Sequence, residues 1–144
     1  MGTFFIIAIV GFILFIFIQL TDTSPVKTFT YQYKGISFMG SPDIMLNPDL
    51  TTISIQEKFI TIKSRYSEPV KMRVLSRYTH PHYIRYTCMD GHRNQIEVVQ
   101  SKLDSELLDA MVFFYNFTTE IYTNNPNFEK DVTKTNALMN FFNS

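Results

Sequence analysis

Hydrophobic side chains run almost unbroken at the start of the chain. From Phe4 to Leu20 the sequence reads FFIIAIVGFILFIFIQL, 17 residues with one polar side chain, Gln19, and no charge. As a helix this run would rise about 26 Å, close to the ~30 Å hydrocarbon core of a bilayer. A helix apolar on every side needs burial on every side, and the rest of the chain is too short to enclose it. A cleaved signal peptide fits less well, because no Lys or Arg precedes the run and no small-x-small pattern follows it. Residues 1–21 are therefore expected to be a single-pass transmembrane anchor that meets the lipid bilayer through residues 4–20. Residues 22–28, polar and carrying Pro25, would form a juxtamembrane linker.

Beyond the linker the period drops to two. Phe29, Tyr31 and Tyr33, then Ile36 and Phe38 around Gly35, predict a first strand with a bulge. Gly40–Asp43 and Asn47-Pro48-Asp49 punctuate a loop. In ISIQEKFITI, residues 53–62, a turn centred on Glu57-Lys58 sets Ile55 opposite Ile60 and Ile53 opposite Ile62. Val70, Met72, Val74 and Tyr78 alternate with Lys71, Arg73 and Arg77, which predicts a half-buried strand with a basic outer face. His80-Pro81-His82 makes a turn. Matching Ile84 and Tyr86 to Val98 and Ile96 requires an odd loop of three or five residues, because a two-residue Asp90-Gly91 turn would put Ile84 opposite Glu97.

From Leu103 the spacing changes to three and four. Leu107, Leu108, Met111, Phe114, Tyr115, Thr118, Ile121 and Tyr122 predict an amphipathic helix over about 104–123, stopped by Asn124-Asn125-Pro126. A second helix over about 127–142 would carry Phe128, Val132, Thr135, Met139 and Phe142 on one stripe. Strands over about 29–99 followed by helices give an α+β reading for residues 29–144: a small antiparallel β-sheet domain closed by one or two C-terminal helices.

Composition sharpens this picture in two places. The 13 Lys and Arg balance the 13 Asp and Glu, and 14 Phe and 8 Tyr exclude a disordered chain. The balance is uneven along the chain. Between Glu57 and Arg93 eight basic residues face three acidic ones, whereas between Asn94 and Asp131 two face seven. The acidic half and zero net charge disfavour nucleic acid as a partner. The basic block nominates Lys63, Arg65, Lys71, Arg73, Arg77 and Arg85 as a face for an acidic protein or for anionic headgroups.

Candidate chemistry is sparse. His80, His82, Cys88 and His92 fall within 13 residues, and imidazole and thiolate are good zinc ligands. Their spacing fits no common zinc pattern, and Cys88 shares the inward parity of Ile84 and Tyr86, so no metal and no cofactor are expected. No glycine-rich phosphate loop is present; Cys88 could pair with His80, His82 or His92 as a nucleophile, but nothing around it suggests an activating environment, and no catalytic residue is nominated. Lys27 and Lys34 against Asp22 orient the soluble domain to the cytoplasmic side, and a lone cysteine agrees. The sequon Asn116-Phe117-Thr118 argues the other way but falls inside the expected helix.

These readings add up to a non-enzymatic, membrane-anchored domain for protein–protein interaction, an accessory subunit or regulator of a membrane assembly. Two alternatives are a membrane-tethered domain that binds lipid or a small ligand, and a small metal-dependent enzyme built on the His/Cys cluster.

Overall fold

A computed structural model describes residues 2–20, 24–38, 44–102 and 109–128. Helix α1 (Gly2–Leu20) is followed by eight strands: β1 (Lys27–Phe38), β2 (Met45–Ile55), β3 (Phe59–Ser64), β4 (Val70–Thr79), β5 (Tyr83–Met89), β6 (Gln95–Ser101), β7 (Ala110–Phe114) and β8 (Thr118–Thr123). Each strand pairs antiparallel with the next, and β8 returns to β1, closing a barrel in simple up-and-down order.

Alternation explains the barrel's interior. Ile53 and Ile55 stand opposite Ile62 and Ile60, as their spacing required. With Met72, Cys88, Ile96, Val98, Met111, Phe113 and Tyr122 they fill the lumen, all but Ile55 and Ile62 at 2% exposure or less. An eight-stranded barrel is just wide enough for side chains to fill it, and this one is packed through its middle. β5 and β6 are joined by the five-residue loop 90–94, an odd length as parity demanded. Their register lies two residues from the simplest match, with Tyr86 opposite Val98 and Cys88 opposite Ile96.

A second apolar layer lies outside the barrel. Ala110, Val112 and Ile121 point outward from β7 and β8 and are covered by Ile44, Leu46 and Phe128. Gly35 lies in this layer between Leu46 and Ile121. A Cβ there would sit 2.8 Å from Leu46 Cδ2 and 2.9 Å from Ile44 Cγ2, so only glycine admits both side chains.

The architecture corrects the α+β expectation. The segment expected as a helix over 104–123 contains β7 and β8, whose hairpin is closed by the Tyr115 N–H donating to the Thr118 carbonyl at 2.9 Å. Both faces of β7 are buried, which erases period-two alternation and leaves apolar residues at spacings that mimic a helix. Residues 103–108 and the expected helix beyond 128 lie outside the described residues. Asn47-Pro48-Asp49 is likewise strand: β2 runs through Pro48 at a register shift against β1. β3 begins to pair with β2 only at Thr51, so Pro48 sits where β2 has a neighbour on one side alone, a position that tolerates proline.

The transmembrane anchor is corrected too. The described side chains of α1 from Phe5 to Leu14 are exposed. Among the described residues no helix is long and apolar enough to cross a membrane. Single-pass placement through residues 4–20, and the sidedness that depended on it, fall with this finding. The barrel is apolar through its middle and carries Lys63, Lys71, Arg73 and Arg85 outside, the inverse of a strand barrel facing lipid.

Candidate binding surfaces: a basic face and a barrel mouth

Strand β3 has six residues and lies between β2 with eleven and β4 with ten. Both neighbours outrun it, one at each end. Beyond Met45–Leu50 of β2 a groove opens beside the β3–β4 turn, lined by Lys34, Ile36, Met45, Leu50, Arg65 and Tyr66. At the other end β4 continues from Leu75 to Thr79 without β3 beside it, and the barrel opens into a mouth.

The nominated cations divide between these places. Lys63 on β3 and Lys71 and Arg73 on β4 point outward together, with Thr61 opposite Lys71 and Phe59 opposite Arg73. None of the three has a carboxylate partner among the described residues, and Lys71 rests its Nζ 4.1 Å from the centre of the Phe59 ring. Arg85 extends the face onto β5 but is paired, its Nε donating to Glu97 Oε2 at 3.0 Å. Arg65 lies in the β3–β4 turn, 5.5 Å from the Tyr66 ring centre. β4 is the most exposed strand of this region, with Met72 its only buried residue.

Arg77 is not on this face. The β4–β5 register shifts between Val74 and Ser76, so Leu75 is an extra residue and side-chain parity reverses after it. Arg77 therefore stands opposite Tyr86, whose side chain is inside the barrel, and its guanidinium carbon lies 5.2 Å from that ring's centre. Tyr78, expected inward, is 58% exposed. The adjacent apolar pair Val74-Leu75, which breaks the alternation, is the signal in the sequence that marks the bulge.

Around Arg77 the mouth is lined by Phe29, Ile55, Ile84, Tyr86 and Gln100, enclosing about 400 Å³. A neighbouring cavity of about 360 Å³ shares Phe29, Ile84 and Gln100 with it and reaches Tyr31 and Asp109. The Tyr86 hydroxyl donates to Gln100 Oε1 at 3.0 Å, a buried bond. Burial raises the Tyr86 pKa, with Arg77 acting in the opposite direction. Burial first, and then the Asp109 charge, raises that of Tyr31. The rim is fixed by the chain entering β1: Ser24 Oγ accepts from the Glu57 N–H at 2.9 Å, and the Ser24 carbonyl accepts from Gln56 Nε2 at 3.2 Å.

The barrel's opposite end holds a polar cluster that composition did not reveal. Glu120 points inward and accepts from the Tyr122 hydroxyl at 2.8 Å and from that of Tyr115 at 3.4 Å, while Lys34 pairs with it at 3.6 Å. Burial is the main cause that raises the pKa of both tyrosines, with the Glu120 charge adding to it. Every group here has a partner, so the cluster reads as a satisfied plug.

The His/Cys candidates are dispersed. His80 and His82 lie in the β4–β5 turn, where the His80 ring stacks on Tyr83 with centres 4.4 Å apart and its Nδ1 accepts from the His82 N–H. Cys88 is in the lumen, and burial, followed by the Glu97 charge, pushes its thiol up to about 12. His92 is in the β5–β6 turn at the other end of the barrel. Among the described residues no group of three or more His, Cys, Asp or Glu could hold a metal ion. The sequon falls in the exposed β7–β8 turn, with Phe117 73% exposed, so the helical objection to it does not apply.

No protein-family model matches the chain, and neither a curated protein nor a solved structure matches it significantly.

Proposed function

We propose that this chain is a non-enzymatic interaction domain, an accessory subunit or regulator of a larger assembly, which docks an acidic surface of a partner protein on the outer face of β3–β5. The observation that supports this reading is the asymmetry of the barrel's outside. The face built on β7 and β8 is covered by the chain's own Ile44, Leu46 and Phe128. The face built on β3 and β4 presents Lys63, Lys71 and Arg73 with no carboxylate partner among the described residues. Complementary charge at such a face steers association and selects the partner more than it adds affinity. Exposed Leu75 at 48% and Tyr78 at 58% supply apolar contact next to the cations.

The test is a photo-crosslinking amino acid at Thr61, between Lys63 and Lys71, in the full chain expressed in its own cells. One discrete acidic protein should be captured. Capture should fall as salt rises from 0.1 to 0.5 M, where the screening length drops about twofold. It should be lost in the Lys63→Glu, Lys71→Glu, Arg73→Glu variant, whose circular dichroism must match the parent. Capture that is the same with reversed charges, or indifferent to salt, overturns the proposal.

A further inference from the structure

The geometry points to a ligand site in the barrel mouth, separate from the partner face, that takes the carboxylate of a small amphipathic acid of the fatty-acid class. Arg77 carries the inference. A guanidinium has five N–H donors and a planar fork that matches a carboxylate, yet among the described residues Arg77 touches no acceptor. Its guanidinium carbon lies 5.2 Å from the centre of the Tyr86 ring, a cation–π contact that uses none of its hydrogen-bond capacity toward an acceptor. The bulge at Leu75 is what turns this solvent-accessible charge toward the mouth. Without the extra residue Arg77 would share the solvent-facing parity of Lys71 and Arg73.

Gln100 supplies a second group of the same sense. It is 9% exposed, and its carbonyl is occupied by the Tyr86 hydroxyl, so what remains to that side chain is an NH₂ with two donors. Arg77, Lys27 and the Gln100 amide line the cavity against the one carboxylate of Glu57, a balance that suits an anionic oxygen better than a cation. Glu57 on the same lining and Asp109 on that of the neighbouring cavity are exposed, and neither forms an ion pair with Arg77 among the described residues.

Phe29, Ile55 and Ile84 provide the apolar wall for the ligand's tail. The two joined cavities, at about 400 and 360 Å³, lie within the size of small-molecule sites. The lumen below is closed by Ile53, Ile60, Met72 and Val98, so the tail must fold along the mouth, and a long chain would protrude. Selectivity for a short or medium chain follows from that floor.

Decanoate titrated into the full chain by calorimetry, with the ¹³C-carboxyl resonance followed in parallel, tests the inference. One equivalent should saturate with a shifted carboxyl resonance. Arg77→Gln should weaken binding about tenfold, the loss of one charge-assisted hydrogen-bonded pair, and decanol should bind the parent more weakly by a similar factor. Arg73→Gln, outside the mouth, should bind like the parent. Ile84→Trp should fill the mouth and abolish binding while the urea midpoint stays near the parent value. Should Ile84→Trp unfold the chain, the Arg77→Gln to Arg73→Gln comparison decides alone. Binding that Arg77→Gln leaves unchanged overturns the site. So does multivalent uptake indifferent to both variants, the signature of adsorption on the exposed apolar side chains of α1.

Discussion

Replacing Gly35 by alanine tests the outer apolar layer at its tightest point. The added methyl would lie 2.8 Å from Leu46 Cδ2 and 2.9 Å from Ile44 Cγ2, where carbon atoms ordinarily rest about 3.5–4.0 Å apart. Leu46 can turn its terminal methyl away, whereas Ile44 is branched at Cβ and holds its rotamer. Overpacking of this kind costs about 1–3 kcal/mol. Removing a strand glycine returns about 0.5–1 kcal/mol through the unfolded chain. The net expectation is a loss of roughly 0.5–2 kcal/mol. The chain has no Trp and 8 Tyr, so urea unfolding can be followed by tyrosine fluorescence, where 1 kcal/mol moves the midpoint by roughly 0.3–1 M. Combined with Leu46→Ala, which opens one side of the site, the same substitution should cost about 1 kcal/mol less, a coupling of the size direct neighbours show. A Gly35→Ala chain as stable as the parent, or costs that simply add in the double variant, would refute the packing described for this layer.

The turns and the lumen offer three further checks. Cys88 is fully buried with its thiol pushed up to about 12, so at pH 8 its alkylation should run at least about 10³-fold slower in the folded chain than in urea; comparable rates would show that the lumen is open. Arg93 holds a left-handed backbone, φ 64°, which costs a side-chain-bearing residue about 1–2 kcal/mol and glycine almost nothing. Arg93→Gly should therefore raise stability by about 0.5–1 kcal/mol once glycine's own entropy is deducted, and a lowered Tm would contradict this account of the β5–β6 turn. Asp90 accepts the Asn94 and His92 N–H groups at 2.8 and 2.9 Å. The Asn94 bond is the main cause that holds its carboxyl below the ordinary range, with desolvation acting against it and the His92 bond with it. Its folded pKa is the depressed one, so its contribution is present above the unfolded value near 3.9 and lost as pH falls through the folded one. Asp90→Ala should lower the urea midpoint at pH 7 and differ little from the parent at pH 2; a gap that persists in acid would falsify the linkage.

How far the fold could be read in advance depended on how many faces of a strand are buried. Residues 53–62 bury one face, and alternation alone set Ile55 against Ile60. β7 buries both: Met111 and Phe113 in the lumen, Ala110 and Val112 in the outer layer. Alternation vanishes there, and a helix was the natural misreading. A barrel also needs β8 beside β1, a pairing between residues some ninety apart that no local pattern encodes. The basic face was legible because Lys63, Lys71 and Arg73 keep strict parity. The mouth was not, because a single extra residue at Leu75 moved Arg77 from one side of the sheet to the other. Only the doublet Val74-Leu75 hinted at it, and nothing in composition ties Arg77 to Gln100 on a strand two places away.

The seam between β1 and β8 has a consequence for how the chain is made. Asn124 clasps Gln32 and Thr30 across a separation of 92 residues in the first of these bonds, and the β1–β8 ladder continues from Tyr33 to Phe38. A ribosome adds about 5–20 residues per second, so roughly 5–20 s pass between the emergence of β1 and the arrival of its last partner. Through that interval a nascent sheet carries a long bare edge rich in Phe and Tyr, the kind of edge that pairs with neighbouring chains. Truncation anywhere before Thr118 would make that interval permanent, and the shortened product should accumulate as aggregate even though most of its strands are intact.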